Sequence, residues 1–311
     1  MNILIVTEKP SVARAFVVAL TKKYGLKFER KKGRSRYNAI FQGQIEQGEL
    51  NFDIEGQKIV ARSLSLLTIS SILGHILNYE YDPPYDKKSN WKRVDPEELI
   101  ELTANFIPIK KGLSKQIEEL GAKSDILCIG TDNDGHGESI GNEIHLLAQK
   151  KNPHLHVGRM RFTSIRPFAL IKAFETQTKL DQLMIAQVDS LRRQDLRMGA
   201  SLTRFLTVGV QEQGLNSLIS YGPCQSSTLW IIVYRYLEKM NFEPQKFWEL
   251  VALVPYKDDQ GKTKRCEFKW TEGRVFDENK INEVFERIKD AKKGTVVKIE
   301  EENKLILRPK P

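Results

Sequence analysis

The run Ile126-Leu-Cys-Ile-Gly130 stops abruptly at Thr131-Asp132-Asn133-Asp134, and a Gly-rich turn, Glu138 and an amphipathic segment to about Lys150 follow. Few local structures accommodate that order. A short apolar run bounded by turn residues reads as a buried strand, and the periodic segment after it reads as a helix. In an open α/β sheet the strand-to-helix turns gather at one edge, where ligands collect. Two aspartates spaced i, i+2 at such a turn form a hard-oxygen site. That chemistry suits Mg²⁺, which keeps several waters and binds substrate phosphates.

A second segment points the same way. Ile3-Leu-Ile-Val6 runs into Thr7-Glu8-Lys9-Pro10-Ser11, and helical spacing begins there with Val12, Ala13, Phe16, Val17 and Leu20. Pro10 suits a first helical turn, where an N–H would be unpaired anyway. Glu8 and Lys9 are thereby expected at a strand end, beside a helix N-terminus that favours anions. If the two strands are neighbours in a parallel sheet, Glu8, Asp132, Asp134 and Glu138 converge. Four carboxylates and a lysine would make a metal-assisted phosphoryl-transfer centre.

Composition narrows the class. At 311 residues, 40% apolar and 29% charged, the chain has the make-up of a soluble globular protein with two or three domains. No apolar run approaches the ~20 residues that span a bilayer, so no membrane partner is expected. The N-terminus lacks the basic n-region and long h-region of a signal peptide. Cys128, Cys224 and Cys266 lie far apart with no CxxC, which argues for a reducing compartment and against a zinc ribbon or disulfide framework. The net charge of +9 is compatible with a phosphate backbone as partner, and equally with a generic basic surface.

Along the chain, Arg30-Lys-Lys-Gly-Arg-Ser-Arg36 reads as a basic loop, either a solvated connector or a DNA-backbone arm. Residues 58–77 read as strand then turn, with His75 a satisfied structural histidine rather than a ligand. Residues 79–96 read as an irregular loop and 97–120 mainly as helix, broken near Pro108. Val157–Phe162 reads as a strand, and Ser164–Ala173 opens a helix with Pro167 in its first turn. A long helical pattern over Lys179–Thr207 puts Asp195 on an apolar face, with Arg192 at i−3 as its expected partner. A Gly-Pro turn at 222–223 sets Gln225-Ser226-Ser227-Thr228 at a helix start, as a phosphate or base contact or an ordinary cap. Residues 248–254, 266–270 and 295–299 alternate as strands, with a helix at about 278–292 between the last two.

These motifs together resemble the type IA DNA topoisomerases, and most closely topoisomerase III of archaea and eukaryotes. Ile3 to Arg14 (ILIVTEKPSVAR) looks like the first motif of the family's Toprim domain. Leu67 to His75 followed by Trp91 resembles the second conserved region, and Thr131 to Glu138 sits where the family has Asp-x-Asp-x-Glu-Gly-Glu. Arg159 to Phe174 and Gln194 to Thr207 resemble the entry to the domain that holds single-stranded DNA. Ile219-Ser-Tyr-Gly-Pro-Cys-Gln225 is a close likeness of topoisomerase III in particular.

The resemblance implies an α/β Toprim domain over 1–155, with a mostly parallel sheet flanked by helices. A helical single-strand-binding segment over 156–218 and a β-rich partial arch over 219–311 would follow. It implies Glu8 as the catalytic glutamate, Lys9 as the phosphate-contacting lysine and Glu138 as the final motif glutamate. Asp132 and Asp134 would be the metal aspartates, with Mg²⁺ as cofactor and no ATP. Arg161, Arg192, Arg204, Gln225 and Ser226 would line the DNA path. The family attacks a single-strand phosphate with a tyrosine, passes another strand through the gap and reseals it. Such a protein would be cytoplasmic and nucleoid-associated, or nuclear in a eukaryote.

Two departures stand out. His136 occupies the middle carboxylate position of the acidic motif, with Gly135 before it in place of a bulkier residue, and a neutral imidazole is a poor direct Mg²⁺ ligand. The nine tyrosines (Tyr24, Tyr37, Tyr79, Tyr81, Tyr85, Tyr221, Tyr234, Tyr236 and Tyr256) all lack the family's Tyr-Pro-Arg-Thr-like context, and the sequence ends at Arg308-Pro-Lys-Pro311. The expectation is therefore an N-terminal part or subunit that works with a C-terminal chain carrying the tyrosine. A decayed paralogue that binds DNA without cleaving it is the alternative. Asp132–Glu143 also has the length of an EF-hand loop, but His136 breaks its ligand pattern and a strand-like run precedes it. Another Toprim nuclease or primase would share the acids but not the Ser-Tyr-Gly-Pro-Cys-Gln motif.

Overall fold

A computed structural model describes residues 1–35 and 38–298. The chain divides into two compact units, the first Met1–Trp230 and the second beginning at Ile231. The first unit opens with β1 (Asn2–Thr7), α1 (Pro10–Tyr24), β2 (Phe28–Ser35), β3 (Asn38–Gln44), β4 (Leu50–Ile54), β5 (Gln57–Ala61), β6 (Leu66–Ser71) and β7 (Leu77–Glu80). It continues with α2 (Glu98–Glu101), β8 (Asn105–Pro108), α3 (Lys111–Gly121), β9 (Ile126–Gly130), α4 (Gly135–Gln149), β10 (His156–Arg159), α5 (Pro167–Glu175), β11 (Thr176–Gln177) and α6 (Gln182–Glu212). Helix α7 (Pro223–Met240) crosses the boundary.

The main sheet runs β10-β9-β1-β6-β3-β2. Strand β1 lies parallel between β6 and β9, and β10 is parallel to β9. Apart from Asn2, every β1 residue is buried, as expected of a strand with both faces covered. Its alternation sorts the core into two layers. Ile3 and Ile5 pack with Phe16 and Leu20 of α1 and Leu170 and Phe174 of α5. Leu4 and Val6 pack with Ile117 of α3 and Ile140, Ile144 and Leu147 of α4. Pro10 stands in the first turn of α1. The helix ends at Gly25 in the left-handed region (φ +69°), whose N–H donates to Thr21 O, a stop that glycine makes without steric cost. The mostly parallel α/β architecture read from the sequence is present, followed by a helical and then a β-rich segment.

Several local expectations change. The basic run from Arg30 to Ser35 is not a loop but part of β2, antiparallel to β3 at the sheet edge; Arg36 lies outside the described residues. Charged side chains are compatible with an edge strand because they deter pairing with a further chain. Arg34 is anchored to Glu119 of α3 at 2.6 Å. Residues 97–120 are mainly helical, in α2 and α3, and the break near Pro108 is a strand rather than a bend. Asn105–Pro108 pairs with β7, and Phe106 stacks on Tyr79 at 4.6 Å. Strand β10 ends at Arg159 rather than Phe162. Asp181 caps α6 by accepting from Leu183 N and Met184 N, so the helix begins three residues later than its pattern and runs on to Glu212. Asp195 is exposed, and Arg192 pairs elsewhere, so the expected buried pair does not form.

In the second unit, β12 (Val251–Lys257) and β13 (Thr263–Lys269) form an antiparallel hairpin. Asp277 caps α8 (Glu278–Ile288). The first strand sits three residues later than its alternation implied. Thr295–Lys298 carries no strand, and Ile299 lies outside the described residues.

Candidate functional site

Strands β1 and β9 end side by side, with Thr7 opposite Gly130. The residues that follow each strand therefore meet. Asp132 N donates to Glu8 Oε2 at 3.2 Å. Lys9 Nζ lies 2.6 Å from Asp132 Oδ2 and 4.0 Å from Glu8 Oε1. The hydrogen bond to Asp132 is the largest influence on Lys9; with the charges of Asp132, Glu8 and Asp134 it outweighs desolvation and holds the ammonium above its ordinary pKa. Asp134 caps α4, its Oδ1 accepting from Gly137 N at 2.7 Å. Thr131 Oγ1 donates to Gly137 O at 2.6 Å and closes the turn. A Cβ on Gly137 would stand 1.9 Å from Asp132 O, so only glycine fits there.

Glu138 is not at this surface. Its side chain and that of Arg159 are both fully buried, 2.8 Å apart. Glu138 Oε1 also faces Arg161 Nη1 at 3.0 Å, and Oε2 accepts from Asp181 N at 2.9 Å. Burial lowers the Arg159 pKa and the Glu138 charge opposes that. The expected convergence of four carboxylates is corrected accordingly. Glu8, Asp132 and Asp134 flank the turn, while Glu138 is consumed beneath it by arginines and a backbone amide. His136 supplies no carboxylate, and its ring lies edge-on to His75 at 5.9 Å.

Among the described residues no group of three or more His, Cys, Asp or Glu side chains is arranged to enclose a metal ion. The donor set is instead open. Among the described residues Asp132 Oδ1 and Asp134 Oδ2 carry no hydrogen bond, and Asp132 lies against Glu8. An open set of hard oxygens suits a divalent ion that retains waters and is completed by a phosphate, and does not suit a closed protein cage.

The residues expected along the DNA path have different fates. Arg161 is one-third exposed at the rim, donating to Thr178 Oγ1 at 3.1 Å. Gln225 is exposed, and Ser226 is half-buried at the first turn of α7, its Oγ accepting from Gly222 N at 3.4 Å. Arg192 is committed. It reaches Glu143 Oε1 and Leu77 O, each at 2.7 Å, and lies 5.6 Å from the Tyr79 ring centroid and 5.4 Å from that of Phe106. Arg204 is 3% exposed. It donates to the carbonyls of Tyr85 and Asp86, and its guanidinium lies 5.5 Å from the Trp91 ring centroid. Its Nη1 has no hydrogen-bond partner among the described residues, and the arginine lines a cleft with Lys87, Trp91, Leu196 and Thr203.

Sequence reasoning missed two organising groups. Glu143 accepts from Ile76 N and Leu77 N through Oε2 and lies 2.6 Å from His75 Nδ1 through Oε1. Its one sequence signal was a carboxylate on the buried side of α4, one helical turn past the acidic turn. His75 is thereby a satisfied structural histidine. Arg159 entered only as the first residue of a family-like stretch, and nothing in the sequence signalled its burial, since an arginine at the end of a short strand reads as surface.

A Toprim-domain family model matches residues 3–165, just over half of the chain, and a DNA topoisomerase family model matches residues 179–311. The chain belongs to the type IA DNA topoisomerases. It is 28% identical to DNA topoisomerase 3 of Caenorhabditis elegans over 98% of this chain and 38% of that protein. It is 30% identical to human DNA topoisomerase 3-alpha over 99% of this chain and 29% of that protein. With Arabidopsis thaliana DNA topoisomerase 3-alpha it shares 31% over 89% of this chain and 28% of that protein. The topoisomerase III branch is the one it resembles, and the chain spans well under half the length of these relatives. Toprim domains typically bind a divalent metal ion. No helix among the described residues is long and apolar enough to cross a membrane.

Proposed function

We propose that this chain provides the acidic, Mg²⁺-binding half of a type IA topoisomerase site and holds single-stranded DNA beside it. In this reading the tyrosine nucleophile comes from further topoisomerase polypeptide. The observation that carries it is the meeting of Glu8, Lys9 and Asp132 at the ends of two adjacent parallel strands. We assign residues 1–155 to the Toprim domain, 156–218 to the helical DNA-binding segment and 219–311 to a partial arch.

Asp132 and Asp134 would hold Mg²⁺ through their free oxygens, with Glu8 alongside. The ion, when bound, would offset the charge of the scissile phosphate. Lys9, half-exposed, can turn its ammonium from Asp132 towards a non-bridging phosphate oxygen, a charge-assisted contact. Glu8 is largely buried but keeps Oε1 towards the site, where it can take or return the proton of an attacking or leaving hydroxyl. Arg161, Gln225 and Ser226 lie on exposed or partly exposed surface and are the better candidates for DNA contact. Arg192 and Arg204 act from within, by holding the elements that shape the path. The Tyr24, Tyr81 and Tyr85 hydroxyls are bonded to Glu175, Leu99 O and Glu98, which supports a nucleophile supplied from elsewhere. The setting is a DNA-bearing compartment, nucleoid or nucleus. His136 favours a second reading, a paralogue that binds DNA without cleaving it.

Anisotropy of a labelled single-stranded oligonucleotide tests the reading. Binding should show little sequence preference and weaken steeply with salt as counterions are released. No binding at low salt, or equal preference for blunt duplex, would count against it.

A further inference from the structure

We infer that Arg159 is the positioning residue of the acidic turn, a buried guanidinium that fixes the backbone from which Asp132 and Asp134 project. The inference rests on the metal-binding reading above. Arg159 is among the largest fully buried side chains of the protein. Its Nη1 donates to Thr131 O at 3.0 Å and Met160 O at 2.7 Å, and its Nη2 to Asp132 O at 2.6 Å. The turn is thus held by its carbonyls from below, while its carboxylates face outward. A guanidinium suits this task because its planar fork presents several donors in fixed directions, which an ammonium does not.

Glu138 makes the arrangement possible. A lone buried cation would be costly, and Glu138 Oε1 neutralises it at 2.8 Å. The other oxygen of Glu138 accepts from Asp181 N, and Asp181 is the cap of α6. One buried pair therefore ties the acidic turn, β10 and the start of α6 together. This also accounts for a motif glutamate whose side chain is fully buried. Groups that orient ligands in this way typically change metal affinity by about 10–100-fold when altered.

The test uses the full chain, Arg159→Lys, and the double variant Arg159→Met/Glu138→Gln. The double variant removes both charges, so it should fold even if Arg159→Lys does not. Two readouts are taken: hydrogen exchange of peptides covering 131–137, and Mn²⁺ affinity by electron paramagnetic resonance. Asp132→Asn serves as the control for the metal site. We expect the turn to exchange about tenfold faster in the variants, β1 and β6 to keep their protection, and Mn²⁺ binding to weaken at least tenfold. Unchanged protection of 131–137 would overturn the inference, as would faster exchange with unchanged Mn²⁺ affinity. If the parent chain binds no Mn²⁺, or Asp132→Asn binds as well as the parent, the metal reading itself fails. The hold of Arg159 on the turn is then judged by exchange alone.

Discussion

His136 and Glu143 show how single residues set the chemistry of this site. In the proposed reading His136 stands where a third hard-oxygen ligand would complete the acidic motif, so His136→Glu should bind Mg²⁺ more tightly in calorimetry. Unchanged affinity would mean that position 136 is not directed at the metal. Glu143 is a different case. Burial raises its pKa, but the His75 hydrogen bond, the Leu77 and Ile76 amides and the His75 charge outweigh that, leaving the folded value below the ordinary 4.5. A carboxylate with a depressed folded pKa contributes stability that is fully present above its unfolded value and lost as pH falls through the folded one. Glu143→Gln should therefore lower stability at pH 7, by roughly 3 kcal/mol, because Arg192 loses its 2.7 Å partner and keeps only the more distant Asp189 at 3.9 Å. The gap between variant and parent should close below about pH 4 in denaturant titrations. A gap independent of pH would show that the charge of Glu143 is not what holds the site.

At the scale of elements, α6 is a spine rather than a simple DNA-facing surface. Its inward side holds other segments by their backbones. Arg192 takes Leu77 O, and Arg204 takes the carbonyls of Tyr85 and Asp86. The hydroxyls of Thr203 and Thr207 bond to both the N–H and the carbonyl of Tyr221 and Ile219 respectively, stapling the extended stretch before α7. Arg204→Ala should therefore lower the melting temperature, consistent with a loss of about 2–3 kcal/mol for a buried, hydrogen-bonded arginine. Limited proteolysis should find the 83–90 segment more open. Weaker DNA binding with unchanged stability would return Arg204 to the role its sequence motif implied.

At the scale of the whole molecule, the two matched family models cover the chain almost end to end, yet this length is a minor part of each relative. The chain alone should form no covalent adduct with a labelled single strand on a denaturing gel. An adduct should appear when a polypeptide carrying the family's tyrosine motif is supplied. An adduct mapped to one of the nine tyrosines here would overturn the division of labour. Failure of a genuine partner to restore cleavage, even with His136→Glu, would favour the non-cleaving paralogue.

The sequence by itself determined the local grammar. Buried parallel strands announce themselves as unbroken apolar runs, Pro10 marks a helix start, and Glu8, Lys9 and Asp132 follow strands at fixed spacing. Their meeting needed only that β1 and β9 be neighbours. What tertiary structure decided was the destination of charge. Whether Glu138, Arg159, Arg192 or Arg204 faces water or a buried partner depends on residues 20 to more than 100 positions away, and no local pattern carries that information. The same holds for 30–35 and 105–108, where pairing with β3 and β7 overrode loop-like charge and helical spacing because strand hydrogen bonds are made between segments, not within them.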